Sequence, residues 1–291
     1  MEIKRNKKII MKNKGSVLVI ALWLISTIAI FSIGLAKISW TTYNYAKRQE
    51  NDLKAWNMVS GMVEKLKTDV LNDVTSEYDT LSEFMIENEV LSGDLRVIYT
   101  ITDEERRINI NKAGSMALKE MPSMDIDKAV AIVNSELKPF FPEEELLLVE
   151  ELEKEDYEAI SDSITIYGPG EININTCSEE ILGYLGMEKS VIKNIMEFRM
   201  GIDGECGTTD DGFFDYVGNI VDILRENAPM SLREEQELRV FLTKNMITVK
   251  SSNYRIEVDV YFNQRLMKKF FIILSKTTDS GEYRIVKWKE I

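Results

Sequence analysis

The stretch of this sequence best suited to chemistry runs from Gly201 to Gly218 and reads GIDGECGTTDDGFFDYVG. It sets Asp203, Glu205, Asp210, Asp211 and Asp215 among glycines, and closely spaced carboxylates on a turn-rich loop are the oxygen ligands that calcium takes. The order does not follow an EF-hand loop, which alternates Asp or Asn before a fixed glycine and ends on a glutamate. Asp203, Asp210, Asp211 and Asp215 are the candidate calcium ligands, and a solvated acidic loop without metal is the competing reading. Calcium is the only cofactor the sequence suggests.

Cys177 and Cys206 are the second candidate pair. Outside a reducing compartment they can join, tying the region after Asn175 to the acidic loop; a buried Cys177 acting as a small apolar filler is the alternative. Other chemistry is scarce. The 291 residues contain no histidine, which removes Ser-His-Asp and Cys-His catalysis and imidazole-ligated zinc. Two cysteines are too few for a Cys-rich zinc site. No P-loop or dinucleotide fingerprint occurs, and no nucleophile stands beside a base. The run Glu143, Glu144, Glu145, Glu150, Glu151, Glu153, Glu155 and Asp156 reads as one solvated helix face, and the alternative is that its apolar residues Leu146, Leu147, Val149 and Leu152 bury against a partner. The chain reads as a non-enzyme.

The elements that would position these residues begin with a membrane helix. Residues 1–15 carry six basic side chains against Glu2 alone, a net of +5, leaving −18 for the rest of a chain whose net charge is −13. Such an acidic body repels nucleic acid phosphates. From Ser16 to Ala36 no residue is charged, and about 20 such residues in a helix span the roughly 30 Å of hydrocarbon in a bilayer. The basic leader keeps the amino terminus in the cytoplasm and sends the body across. A cleaved signal peptide fits poorly, because the apolar run is long and no A-x-A-like site follows Ala36. No proline occurs before Pro122, and Leu53, Trp56, Val59, Val63, Leu66, Val70 and Val74 form one apolar stripe, so the helix continues to about residue 75 and packs on the protein's own sheet.

Leu95 to Thr102 alternates as a strand, Asp103-Glu104-Glu105-Arg106 reads as a polar turn, and Arg107 to Ile110 as a return strand. Tyr254 to Phe262, Phe270 to Leu274 and Tyr283 to Trp288 form an antiparallel meander. The predicted fold is α+β: a helix on a split antiparallel sheet (residues 76–111 and 246–291) interrupted by an all-helical domain at 112–245. That insert carries a repeat, with Ile108-Asn109-Ile110-Asn111 recurring as Ile172-Asn173-Ile174-Asn175. Each copy precedes two short helical patterns, like a helix-hairpin-helix unit. Asn175 or Thr176 would cap the first helix of the second copy, with Glu179 completing a capping box. Such hairpins often bind DNA through backbone amides. Here the turns read Leu185-Gly186-Met187-Glu188 and Met121-Pro122-Ser123-Met124, with a carboxylate in one and a proline lacking an N–H in the other, so a scaffold role is favoured over DNA uptake.

A basic leader ending in glycine before an uncharged helix that enters a soluble domain resembles the type IV prepilin and pseudopilin class. The helical units inserted into the sheet, the Asp103 to Asn111 segment and the Trp288-Lys289-Glu290 ending are similar to the K-type minor pseudopilins of type II secretion systems. The resemblance implies a pseudopilin fold and cleavage between Gly15 and Ser16 by a prepilin peptidase. It also implies a role at the filament tip, because Ile20 stands where nearly all pilins have glutamate. The class commonly begins its mature chain with phenylalanine, and here that residue is Ser16. The implied partners are the I- and J-type minor pseudopilins, the major pseudopilin and an inner-membrane platform, and calcium binding by some pseudopilins agrees with the loop reading. A related pilus-like machine and an ordinary anchored adhesion module are the other settings.

Overall fold

The computed structural model describes residues 14–71, 77–84, 87–208, 210–277 and 281–291, and the side chains of all but 14, 15 and 69–71 among these. Residues 1–13, where the processed leader is expected, and the side chains of Val70 and Val74 lie outside that description. The chain divides into one unit ending at Met58 and a compact body from Val59 to Ile291.

Helix α1 (Lys14–Leu71) is continuous for 58 residues. The absence of proline permits this, and so does the scarcity of glycine, with Gly34 and Gly61 the only two after Gly15. Within the body, its last turns bury Val59, Met62, Val63 and Leu66. The predicted stripe begins later than its spacing suggests, because Leu53 and Trp56 are exposed.

The body's sheet has five strands in the order β1 (Asn88–Ser92), β2 (Leu95–Asp103), β7 (Asn253–Phe262), β8 (Arg265–Lys276), β9 (Tyr283–Glu290), every neighbouring pair antiparallel. Alternation puts one side-chain set on the same face, and the register aligns Val97 with Val260, Tyr99 with Val258 and Phe270, and Ile101 with Ile256, Ile272 and Trp288. The predicted meander is present. The short edge strand β1 is an addition to the sequence reading, whose first strand begins at Leu95.

Between β2 and β7 the chain leaves the sheet and builds a second core. Its elements, after the single turn α2 (Leu81–Phe84) that precedes the sheet, are β3 (Ile108–Asn109), α3 (Ser115–Leu118), α4 (Ile126–Asn134), α5 (Lys154–Ile160), β4 (Ile164–Thr165), β5 (Ile172–Asn173), α6 (Glu179–Tyr184), α7 (Lys189–Arg199), α8 (Ile220–Asn227), α9 (Leu232–Thr243) and β6 (Ile247–Thr248). The Arg107 to Ile110 segment is not a return strand of the main sheet. Ile108 instead bridges Ile164 in parallel, and Ile172 bridges Ile247 in the same way. Ile108, Ile110, Ile247 and Val249 belong to the insert's core, so the insert reaches from about 104 to 252, further in both directions than the helical pattern marks.

The ININ repeat is a structural duplication. Asn111 accepts from the Phe140 amide at 2.8 Å through Oδ1 and donates to its carbonyl at 3.3 Å. Asn175 makes the same two bonds to Phe214, both 2.9 Å. Phe140 and Phe214 are fully buried, and each asparagine satisfies a phenylalanine main chain that has no ladder partner there. Ile110 and Ile174 donate to the carbonyls of Thr165 and Thr248, both at 2.9 Å, closing each copy. Asn175 and Thr176 therefore do not cap α6. Ser178 holds that position, because the two predicted caps are occupied elsewhere. The glutamate-rich run is also not one helix face: Glu143–Leu148 is a 3-10 turn and α5 starts afresh behind a capping box between Glu153 and Asp156, with Leu147 exposed.

Candidate functional site: the apolar stem and the buried polar seam

The stem is built from residues with nothing to bury against in their own chain. From Val17 to Tyr45 the large apolar side chains of α1 are exposed on every side, Ile20 at 60% and Phe31 at 74%. Ser26, Thr27 and Ser32 turn their hydroxyls back onto the carbonyls of Leu22, Trp23 and Ile28 at 2.8–3.0 Å, so even the polar residues present hydrocarbon outward. Lys37 closes the uncharged run, Trp40, Tyr43 and Tyr45 follow it, and the pairs Lys47–Glu50 and Lys54–Glu50 come after them. An apolar core, then a lysine and aromatic residues at the interface, then a charged flank is an order suited to a helix that crosses a bilayer. This is the one helix among the described residues long and apolar enough to cross a membrane, by length and composition. The bond between Gly15 and Ser16 lies in its first turn.

The second arrangement is one that sequence reasoning missed. Asp103, Glu104 and Glu105, read as a polar turn, are buried where the chain leaves the sheet, and Asp79 joins them. Asp103 Oδ2 accepts from Thr176 Oγ1 at 2.8 Å and Ser251 Oγ at 2.6 Å, while its Oδ1 is buried without a partner. Glu104 pairs with Arg255 and, at 3.3 Å, with Arg107, and also accepts from the Thr165 hydroxyl. Glu105 accepts from the Ser252 amide at 3.0 Å and from Asn253 Nδ2 at 2.8 Å. Asp79 accepts from the Ser251 amide, from Asn173 Nδ2 at 3.3 Å and from the Tyr254 hydroxyl at 3.1 Å. Burial drives the Asp79 carboxyl up to about 7, with the nearby Asp103 charge adding to the effect. Burial likewise drives Glu105 up to about 8 and raises Asp103. The entry at 103–105 and the exit at 251–254 are thus fastened to each other and to Asn173 and Thr176 of the second repeat. A buried network with so many hydrogen bonds fixes a joint and offers no exposed reactive group.

The acidic loop uses its carboxylates internally. Asp210 Oδ2 accepts from the amides of Ile202 at 2.8 Å and Asp203 at 3.2 Å, and Oδ1 from Thr208 Oγ1 at 2.8 Å. These bonds, the Thr208 hydroxyl foremost, hold its carboxyl down at about 2. Asp211 accepts from the amides of Gly207 at 2.6 Å and Thr208 at 3.2 Å, Asp203 from Glu205, and Asp215 from the Asn219 side chain. Among the described residues no three acidic or cysteine side chains converge on a point that would hold a metal ion. Asp203, Asp210, Asp211 and Asp215, the suggested calcium ligands, thus each accept from donors of the loop itself or, for Asp215, from Asn219. Gly212 fixes the loop against α7, since a Cβ there would run into the Phe198 carbonyl. The two cysteines are free thiols: Cys177 is fully buried in the insert core, where burial raises its thiol to about 11, and Cys206 is half-buried on the loop.

No protein-family profile and no curated protein matches this sequence. Among solved structures, a chain in the crystal structure of the GspK–GspI–GspJ complex from the enterotoxigenic Escherichia coli type 2 secretion system is similar in fold. The TM-score is 0.58 at 14% identity, over 84% of this chain and 99% of that one. A long apolar amino-terminal helix, an antiparallel sheet and additional helices make this chain pseudopilin-like in fold.

Proposed function

We propose that this chain is a minor pseudopilin of the K type, a non-enzymatic subunit that starts and caps the pseudopilus of a type II secretion or type IV pilus-like machine. One combination carries the reading: an exposed, uncharged stem with isoleucine at position 20 runs unbroken into a pseudopilin-like body enlarged by a helical insert. In stems of this class a glutamate neutralises the amino terminus of a neighbour. An uncompensated charge in an apolar bundle costs several kcal/mol, roughly the penalty of any ion in hydrocarbon. A stem with Ile20 makes no such pair and belongs where no subunit stacks above it. The insert adds bulk at that end.

By this reading residues 1–15 face the cytoplasm and are removed by a prepilin peptidase, Ser16–Ala36 spans the inner membrane, and the acidic body lies outside. The similar solved chain comes from a complex of GspK with GspI and GspJ, which supports I- and J-type minor pseudopilins as partners here. The major pseudopilin and the inner-membrane platform follow from the same role. The test is the amino terminus of the mature protein purified from membranes. Ser16 is expected; an intact leader in cells with active prepilin peptidase would overturn the proposal, and a start after Ala36 would make the chain a secreted module.

A further inference from the structure

Arg199, the last residue of α7, is 3% exposed. Its Nη1 donates to the Cys177 carbonyl at 2.6 Å and lies 3.6 Å from Met196 Sδ, both neutral, while its Nε is buried with no acceptor. No carboxylate pairs with the guanidinium among the described residues. A buried guanidinium without a counter-ion is expensive, and the free Nε edge belongs to the fork that a carboxylate fills with two parallel bonds. The same side chain lines a cavity of about 310 Å³, large enough for a small ligand or one side chain. Tyr78 and Phe213, stacked on each other with centroids 4.8 Å apart and planes 11° from parallel, supply its aromatic side. Glu83 and Asp211 also line the cavity, but their carboxylates accept from main-chain amides, Thr80 at 2.8 Å and Gly207 at 2.6 Å, and neither turns to Arg199. Their negative charge weighs about twice as heavily against a dianion such as phosphate as against a singly charged group.

We propose that this cavity binds a monoanionic carboxylate carried on a flat apolar group, with the carboxylate on Arg199 and the apolar group against Tyr78 and Phe213. The site is independent of the filament role. Cys206 lines the same cavity and reports on it, while the buried Cys177 serves as an internal control for intact folding. The experiment is the rate of iodoacetamide labelling of Cys206 in the full-length protein in detergent, read by mass spectrometry. At roughly 10 mM, benzoate should slow labelling about threefold or more, as a millimolar site requires, and the uncharged isostere benzamide should not. An N-acetylated dipeptide ending in phenylalanine is tested as the free acid and as the amide. Stronger protection by the peptide acid than by benzoate assigns the carboxylate to a polypeptide terminus, and the reverse assigns it to a small molecule. Arg199→Gln should abolish protection; if that variant exposes Cys177, the benzoate and benzamide comparison on the unaltered protein decides alone. Equal slowing by benzoate and benzamide, or no slowing by either acid, overturns the proposal.

Discussion

Asp79 and Glu105 have acid groups whose folded values, about 7 and about 8, lie above their ordinary 3.8 and 4.5. Between those limits the native state holds protons that the unfolded chain has released, so these two groups take stability away as pH climbs from about 4 to 8. Asp79→Asn removes the Asp79 share of that dependence while keeping the bonds: its oxygen still accepts from the Ser251 amide, and its Nδ2 can donate to the Tyr254 hydroxyl, which itself donates to the Ser251 carbonyl at 3.0 Å. The variant should be more stable than the parent by about 1–3 kcal/mol at pH 8 and nearly equal at pH 4, measured by urea unfolding at both. A variant less stable at pH 8 would mean that the charged form is the one the seam was built for. None of this was legible beforehand. Four charged residues in a row at 103–106 carry the pattern of a solvated turn, and their partners at 173, 176 and 251–255 lie far along the chain. The cysteine pair and the aspartates of 203–215 drew attention by residue type, yet the folded loop spends its carboxylates on its own amides.

At the scale of elements, legibility followed period and length. The membrane-length helix and strands β2 and β7 to β9 announce themselves because their patterns persist over many residues. Two-residue strands have no period, so the sequence around β3 looks like half of a hairpin although Ile108 bridges Ile164 across the insert. The repeat was visible as letters, ININ twice, but what it repeats is a clasp on a buried phenylalanine, and Phe140 and Phe214 lie at unequal distances along the two copies. The clasp makes a directional prediction. Asn175→Asp keeps the acceptor for the Phe214 amide and, once ionised, places a carboxylate against the Phe214 carbonyl. Its loss of stability relative to the parent should grow from about 1 kcal/mol at pH 4, where the protonated acid still donates, to about 3 kcal/mol or more at pH 8. Denaturation at the two pH values measures it, and a pH-independent loss would show that only the lost amide geometry matters.

At the scale of the molecule, the insert has its own apolar core and could be taken for a separate folding unit hung on the sheet. The seam argues for one cooperative body. Arg255 sits on β7 with its guanidinium 4.7 Å from the centroid of the Phe271 ring on β8, pairs with Glu104 at the entry to the insert, and reaches Glu143 of the insert at 3.7 Å. Glu104 also takes the Thr165 hydroxyl from β4 and the Arg107 guanidinium. One ion pair therefore touches both cores, and breaking it leaves the buried Glu104 carboxylate with only its longer ion pair to Arg107, at a cost that falls on each. Arg255→Met should destabilise the whole body by about 3–5 kcal/mol, whereas Arg255→Met combined with Glu104→Gln, which removes both charges, should recover most of that loss. Calorimetry of the full-length protein in detergent should show the body unfolding in a single transition for parent and variants alike, displaced to lower temperature in the single mutant. A second transition appearing in Arg255→Met, with the sheet melting apart from the insert, would mean that the two cores are joined by the chain alone and that the seam sets their geometry without sharing their stability.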